Sequence, residues 1–452
     1  MASERLFTIQ EANALFKIKY EKLSENVYNS ANVLLGRVKK SYNFVGEKIQ
    51  ITIPSSFSGG VGSGKLPKAN TAIYKRAELE AKKMYAVVEL DRETIKAALK
   101  DEGSFVRATK EVVKKGVESF MRNMSRTLFN DGSGKLGLVS EVKELGYDSV
   151  TGAEVVVSTD GSASGVTDSS DGTTLIVATK TQVKCSNFKE ANFEERDLIN
   201  VLAASASAVK GAGGVDTLHE IDEVRPDAQA IIILGAIEGN GAGQIEAGDS
   251  LVMQGSLNND PEGLKGVLQK SDGRSSSYTI DHGRRWEAVV EDADKQSIST
   301  DMLNKVMLKI KKKCGKSPNL IVTSFKQYER ILNLLESQKR YTVPTRAGLK
   351  SKSGADISFS GVEFMSIDGP IGIFPERFVE DDTIYLLNDA HIHIHHRPDF
   401  GWFDDDGTVF LRKADADAYE ARYGGYLQTY INPAFHGVIT DLANDDSEIP
   451  TP

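Results

Sequence analysis

The sequence predicts an α+β fold built from several packed parts, and three observations carry that prediction. An alternating apolar strand leads through a glycine-rich tip and a returning strand into one long amphipathic helix. Short strands punctuated by glycine fill the middle of the chain. After residue 299 helix and strand alternate, and strands then dominate to the end. At 452 residues the chain is long enough for two or three packed units. With 40% hydrophobic and 26% charged residues, its composition is that of a globular protein.

Residues 1–45 read as an arm: Leu15, Phe16 and Ile18 sit among charges, and no self-contained core is visible. Lys48–Ile53 is a strand, with Ile49, Ile51 and Ile53 at the two-residue period, and Pro54 is expected to stop it. The tip, Ser55 to Lys65, holds Gly59, Gly60, Gly62 and Gly64 and can bury almost nothing. The return runs from about Ile73 to Leu90, with Met84–Leu90 its clearest strand, and Asp91 is a plausible cap for a turn of helix. A helix follows over 104–130. Phe105, Val112, Val113, Val117, Phe120, Met124 and Leu128 fall on one face of it, and Asn130-Asp131-Gly132 ends it. At about 1.5 Å per residue it is a rod of roughly 40 Å. A two-stranded ribbon is marginal in water unless covered, and a neighbouring copy of the chain is the economical cover. An ordinary hairpin folded on its own domain is the plainer alternative.

Leu136–Val157 reads as strands or a docking segment, and Ser158–Thr173 as a polar loop. Short strands at Leu175–Val177, Thr181–Cys185, Leu198–Leu202 and Ala230–Leu234 then predict a small antiparallel barrel or sandwich inserted over 174–257. The main chain resumes near Pro261. Residues 299–314 form a helix capped by Ser299 or Thr300, with Lys309 and Lys311–Lys313 at the negative end of its dipole. Asn319–Val322 is a buried strand and Ser324–Glu336 a second helix. Ser337–Ala355 is a basic loop, and strands run from Val362 to Ile431.

The formal net charge of −9 argues against a general nucleic-acid binder. The two cysteines, Cys185 and Cys314, match no metal or redox spacing and read as reduced, buried thiols of a cytoplasmic product, with a disulfide between them as the less favoured alternative. Neither a signal-peptide pattern nor an apolar run of bilayer length is seen, so neither secretion nor a membrane span is expected.

Several motifs fail on inspection. Gly59–Lys65 fits the spacing of a phosphate-binding loop, but Leu66 and Pro67 stand where a magnesium-holding hydroxyl and a helix start belong. A nucleotide-dependent enzyme would lose activity on Lys65→Ala, whereas a structural subunit would not. His391, His393 and His395 alternate along one strand. Ligands two residues apart lie nearly 7 Å apart, too wide for all three to share one ion, so a polar sheet face is the favoured reading. Asp404–Gly407 lacks the alternation and closing Glu of a calcium loop and reads as a hairpin turn. No nucleophile elbow or zinc-protease motif occurs. No catalytic, cofactor-binding or metal-ligating residue is assigned, and no cofactor is expected. An enzyme with an unmarked site stays open. The long helix carries Arg107, Lys110, Lys114, Lys115, Arg122 and Arg126 against Glu111 and Glu118. This is a solvated face, or, inside a closed shell, a stripe facing nucleic acid.

The order of elements is specific. The loop Glu47–Glu89, the helix Ser104–Phe129, the Glu262-Gly263-Leu264-Lys265-Gly266 return, Asn319–Thr323 with its helix, and the ending Tyr430–Gly437 resemble the major capsid proteins of tailed double-stranded DNA bacteriophages, with the Hong Kong 97-type fold. The resemblance spans essentially the whole chain and rests on order and texture. It implies an N-terminal arm (1–45), an extended β-hairpin loop (46–90), a peripheral domain with its spine helix (91–173) and an inserted β domain (174–257). A return to the peripheral domain (258–298), an α/β axial domain (299–375) and a β-rich ending shared by axial and peripheral domains (376–452) complete it. It also implies self-assembly into pentamers and hexamers of an icosahedral head made in the host bacterial cytoplasm. The implied partners are a portal protein, a separate scaffolding protein, a decoration protein and non-specifically held double-stranded DNA. An encapsulin-like cellular shell is the alternative within the same architecture.

Overall fold

The computed structural model describes residues 33–41, 48–56, 73–91, 102–147, 154–157, 178–186, 188–204, 208–212, 215–269, 276–278, 280–281, 286–337, 348–350, 356–358, 362–366, 368–397, 401–403, 409, 411–413 and 417–443. Most of the arm, the glycine-rich tip with Gly59–Lys65, the turn after Asp91, the polar loop with Leu175–Val177, most of the basic loop and Asp404–Gly407 lie outside the described residues. Two compact units divide the chain. One is Gly132–Asp260; the other joins Met1–Asp131 to Pro261–Pro452.

In the two-limbed unit a short helix, α1 (Val33–Arg37), buries Val33, Leu34 and Leu35. Strand β1 (Lys39–Ser41) follows it. Strands β2 (Lys48–Ser56) and β3 (Ile73–Glu80) pair antiparallel, from Lys48 opposite Glu80 to Ser56 opposite Ile73. Pro54 does not end β2 as its missing N–H suggests. The register slips between Pro54 and Ser56, and a proline is tolerated where a strand has a free edge. The return breaks at Ala81. Its second half, β4 (Lys82–Asp91), leaves the ribbon and pairs instead with a strand more than three hundred residues on. Helix α2 (Glu102–Phe129) then runs 28 residues. It buries Val117, Phe120, Met121, Met124 and Leu128.

The continuous unit is built on β5 (Lys135–Tyr147), β6 (Glu154–Val157), β7 (Ala178–Cys185), β8 (Leu198–Leu202), β9 (His219–Arg225), β10 (Ala230–Leu234) and β11 (Ser250–Met253). The pairing order is β11-β8-β9-β10-β7-β5-β6, and β11 pairs with β5 as well. Six antiparallel strands therefore close into a ring, which leaves no open edge among them. Leu136, Val139, Val183, Ile199, Val201, Ile221, Ile231, Ile233 and Leu251 form the core. Sequence texture sets the start of the inserted part at 174. Strand pairing puts 135–147 in the same sheet as 178–185, because the apolar face of β5 finds its partners in β7 and β11. Lys210 is the polar counterpart of this core. Its Nζ lies 2.7 Å from the fully buried Asp249 carboxylate.

The second limb of the two-limbed unit returns with α3 (Leu264–Leu268), laid against the last turn of α2. A Cβ built on Gly263 would sit 2.3 Å from the Thr127 carbonyl oxygen and 2.5 Å from that of Asn130. Gly263→Ala is therefore expected to destabilise this unit by about 1–3 kcal/mol, as overpacking against backbone does. Urea denaturation measures it.

A mixed sheet follows, in the order β12 (Val289–Asp292), β19 (Gly437–Thr440), β16 (Ile384–Leu387), β13 (Leu320–Thr323), β15 (Gly369–Pro375), β14 (Val362–Ser366). Helix α4 (Thr300–Cys314) packs on it through Leu303, Val306 and Ile310, against Ile321, Ile373, Ile384 and Ile439. The Ser299 hydroxyl oxygen accepts the Met302 N–H at 3.2 Å, and Gly315 takes the left-handed conformation (φ 73°) that ends the helix. Helix α5 (Phe325–Ser337) follows β13.

The second large sheet is organised by β18 (Ala418–Ile431). One edge of β18 pairs with β4, from Asp91–Ala418 to Lys82–Leu427. The other edge takes Leu411–Arg412, then Gly401–Trp402, then β17 (Ile392–His396). Strand β1 adds to β17 in parallel. Close approach explains one glycine in β18: a Cβ at Gly424 would lie 2.4 Å from the Met84 carbonyl oxygen.

Candidate assembly interface

The ribbon is anchored at one end and open along its length. Ala77 and Leu79 are fully buried, and the Glu78 N–H donates to the Tyr278 carbonyl at 3.1 Å. Lys48 holds Glu80 at 2.6 Å and Glu78 at 3.7 Å, exposed pairs that fix register more than they stabilise. Further out, Ile49 and Ile51 are only half-buried and Tyr74 is 55% exposed. Among the described residues β2 and β3 form a sheet of two strands. The outer edge of β2 therefore offers a row of backbone donors and acceptors that a strand or loop of another chain can use.

The sheet beside it has two different faces. Strand alternation turns Ala86, Val88, Ala421 and Tyr423 toward α2, whose Phe120 meets the Tyr423 ring edge-on at 5.1 Å. Gly116 lets the helix come close, since a Cβ there would sit 2.4 Å from Val88 Cγ2. The opposite face presents Lys83, Tyr85, Val87 and Glu89 beside Tyr426, Arg422 and Glu420. Tyr85 and Val87 are 45% and 58% exposed. The Lys83 ammonium and the Arg397 guanidinium both lie over the Tyr426 ring, at 5.9 and 5.2 Å. A face that is apolar at its centre and charged around it suits contact with another protein surface. A second apolar exposure lies on the helices and edge of the mixed sheet, at Leu308, Phe325, Leu332 and Met365.

The basic stripe expected on the long helix is shorter than the sequence suggests. Lys114 and Lys115 are exposed, with Lys114 3.4 Å from Glu118, and Arg122 is half-buried. Arg126 is buried, because the last turns of α2 are enclosed on every side: Ser125, Thr127, Leu128 and Phe129 are buried too. The side chains of Arg107, Lys110 and Glu111 lie outside the described residues.

The three alternating histidines do not sit together on one strand. His391 closes a 3-10 turn (Asp389–His391), and its ring stacks on Phe435 at 3.6 Å. His393 and His395 share one face of β17, with ring centres 6.1 Å apart. Among the described residues no group of three or more His, Cys, Asp or Glu is placed to hold a metal ion. Cys185 and Cys314 are both free thiols, and burial pushes the Cys185 thiol up to about 12. Among the described residues, no helix is long and apolar enough to cross a membrane.

One buried acid went unmarked in the sequence. Glu376, at the end of β15, is largely enclosed, and burial pushes its carboxyl up to about 7 despite the Arg377 N–H it accepts at 3.1 Å. Its folded value lies above the unfolded one of 4.5. Its contribution is therefore fully present below pH 4.5 and is lost as pH rises through 7. Glu376→Gln is expected to raise stability at pH 8 by up to about 3 kcal/mol and to change little at pH 4.5. Denaturation at the two pH values measures the difference.

No protein-family model matches the chain. No curated protein matches it. Solved structures do. The cyanophage A-1(L) capsid asymmetric unit is similar at 10% identity and TM-score 0.48, covering 98% of this chain and 95% of that one. The Mycobacterium phage Patience structure is similar at 9% identity and TM-score 0.36, covering 97% and 90%. The encapsulin complex from Synechococcus elongatus is similar at 7% identity and TM-score 0.41, covering 94% and 92%. All three likenesses extend over most of the chain, at sequence identities of 10% or less.

Proposed function

We propose that this chain is the major capsid protein of a tailed bacteriophage. Many copies form pentamers and hexamers that close into an icosahedral head around double-stranded DNA. The observation that carries the reading is the β2–β3 ribbon: anchored at Ala77 and Leu79, two strands wide, with half-buried isoleucines and an exposed tyrosine. Such a ribbon gains its missing cover from a neighbouring copy. The helix-backed sheet supplies a stiff frame for it, and α2 in this reading is the spine helix. The exposed Phe325 and Leu332 on α5 and Leu308 on α4 give a second contact surface, suited to subunits meeting around a capsomer axis. The ring of six strands in Gly132–Asp260 is in this reading an elaboration carried on the shell. Portal, scaffolding and decoration proteins are its partners, and Lys114 and Lys115 give the packaged DNA a local basic contact. The full chain, expressed alone and with the genes beside its own, is purified, sedimented and imaged by negative-stain microscopy. Closed shells, rings of five or six, or tubes are expected. A chain that stays monomeric under both conditions rules the reading out.

A further inference from the structure

Strand β1 is three residues long and sits at the edge of a sheet whose next strand is lined with imidazoles. Lys39 lies opposite His393 and Ser41 opposite His395, in parallel register. On the far side His393 faces Tyr430 and His395 faces Gln428. Register partners share a face, so one face carries Lys39, Ser41, His393, His395, Tyr430 and Gln428. The two imidazole rings and the Tyr430 ring form a triangle with sides of 6.1, 6.2 and 6.3 Å. His395 is 8% exposed, and its Nδ1 is buried with no hydrogen-bond partner among the described residues.

The charged and titratable groups around this edge are mostly basic or neutral. Strand β1 contributes Lys39, β17 contributes His396, and the preceding turn contributes His391 with Lys316 beside it. Behind Tyr430 stand Tyr278 and Trp286. Among the described residues two carboxylates are near the site. Glu262 acts on Tyr278 and Asp389 acts on Arg37, and neither acts on His393 or His395. A proton placed on His393 therefore meets Lys39, and one placed on His395 meets the His393 and His396 rings, with no anion among the described residues acting on either.

We propose that this imidazole edge is an acid-sensitive latch: neutral His393 and His395 hold β1 on the sheet, and their protonation opposite Lys39 releases it. The anchor on the other side, α1 with its buried Leu34 and Leu35, keeps the opening local. The latch belongs to the subunit alone and stands whether or not the chain builds a shell.

Burial and the neighbouring imidazoles His393 and His396 depress His395 from 6.5 to about 4. A base depressed in the folded state contributes stability above its free value and loses it as pH falls through the window, here 6.5 to 4. If release returns His395 to its ordinary value, opening of β1 becomes up to about 300-fold more favourable across that window.

The test is hydrogen exchange of the full chain between pH 6.5 and 4, expressed as protection factors so that the intrinsic pH dependence cancels. Protection at Lys39–Ser41 should fall by up to about 300-fold while β13 in the mixed sheet falls far less. In the doubly substituted His393→Gln/His395→Gln chain the fall at β1 should vanish. Lys39→Gln, an exposed change that leaves the fold alone, should make the fall smaller, because it removes the charge that disfavours a proton on His393 in the closed state. Flat protection at β1, an equal loss at β13, a double variant that keeps the full dependence, or an undiminished fall in Lys39→Gln would each overturn the latch.

Discussion

Replacing Phe120 by alanine lowers the stability of the two-limbed unit by about 3–5 kcal/mol. The ring is fully enclosed, meets Tyr423 edge-on at 5.1 Å and stands between Val117 and Met124 on the buried face of α2. The helix backs β4 and β18, whose pairing joins the two limbs of the chain. A cavity there removes packing that covers this long-range pairing. Domains of this size are stable by about 5–15 kcal/mol, so the loss is a large share of the total. Urea denaturation of the variant, followed by tyrosine fluorescence and circular dichroism, measures it. A change below about 1 kcal/mol would mean that the helix is not the support of the sheet.

The second large effect is on assembly and leaves folding alone. Thr52 and Arg76 are direct partners in the ribbon. Replacing residues 53–75 by Asn-Gly closes a two-residue hairpin between them, a turn whose twist matches the strands. The shortened subunit keeps Lys48–Glu80, Ala77 and Leu79, so its denaturation midpoint should stay within the usual range of surface changes, about 0.5 kcal/mol. Its yield of assembled particles should fall by at least about tenfold, because the surface a neighbour would cover is gone; a loss of only 1.4 kcal/mol per contact already shifts an association constant tenfold. Unchanged yield would remove the ribbon from the interface. An unfolded subunit would show that the ribbon is part of the core.

Local signals were legible in the sequence. The alternation of Ile49, Ile51 and Ile53 marks β2, Ser299 and Gly315 bracket α4, and the apolar runs at Leu198–Leu202 and Ala230–Leu234 are strands within a residue of their ends. Partnership was not legible. Periodicity says which face of a strand is apolar and nothing about which strand lies beside it. Leu136–Val157 therefore reads as strands or a docking segment, and only the pairing of Lys135–Tyr147 with β7 and β11 places it in a sheet. The same holds for β18, whose fourteen residues read only in their last seven, since Ala418–Gly424 is polar in texture and becomes a strand through β4. Arg126 is misread for a related reason. A helical wheel assigns charge to the solvent side, and the end of α2 has no solvent side. Glu376 carries no motif at all, and its displaced carboxyl follows from burial that only the folded chain creates.

The central claim is that the ribbon is completed by another copy of the chain. Hydrogen exchange at the β2 amides from Ile49 to Thr52, compared between the assembled fraction and the free subunit, tests it most directly. The account predicts rapid exchange on the outer edge of β2 in the subunit and strong protection in the assembly, with Leu79 protected in both. Equal exchange in the two fractions would contradict it, because the ribbon would then have no partner to find.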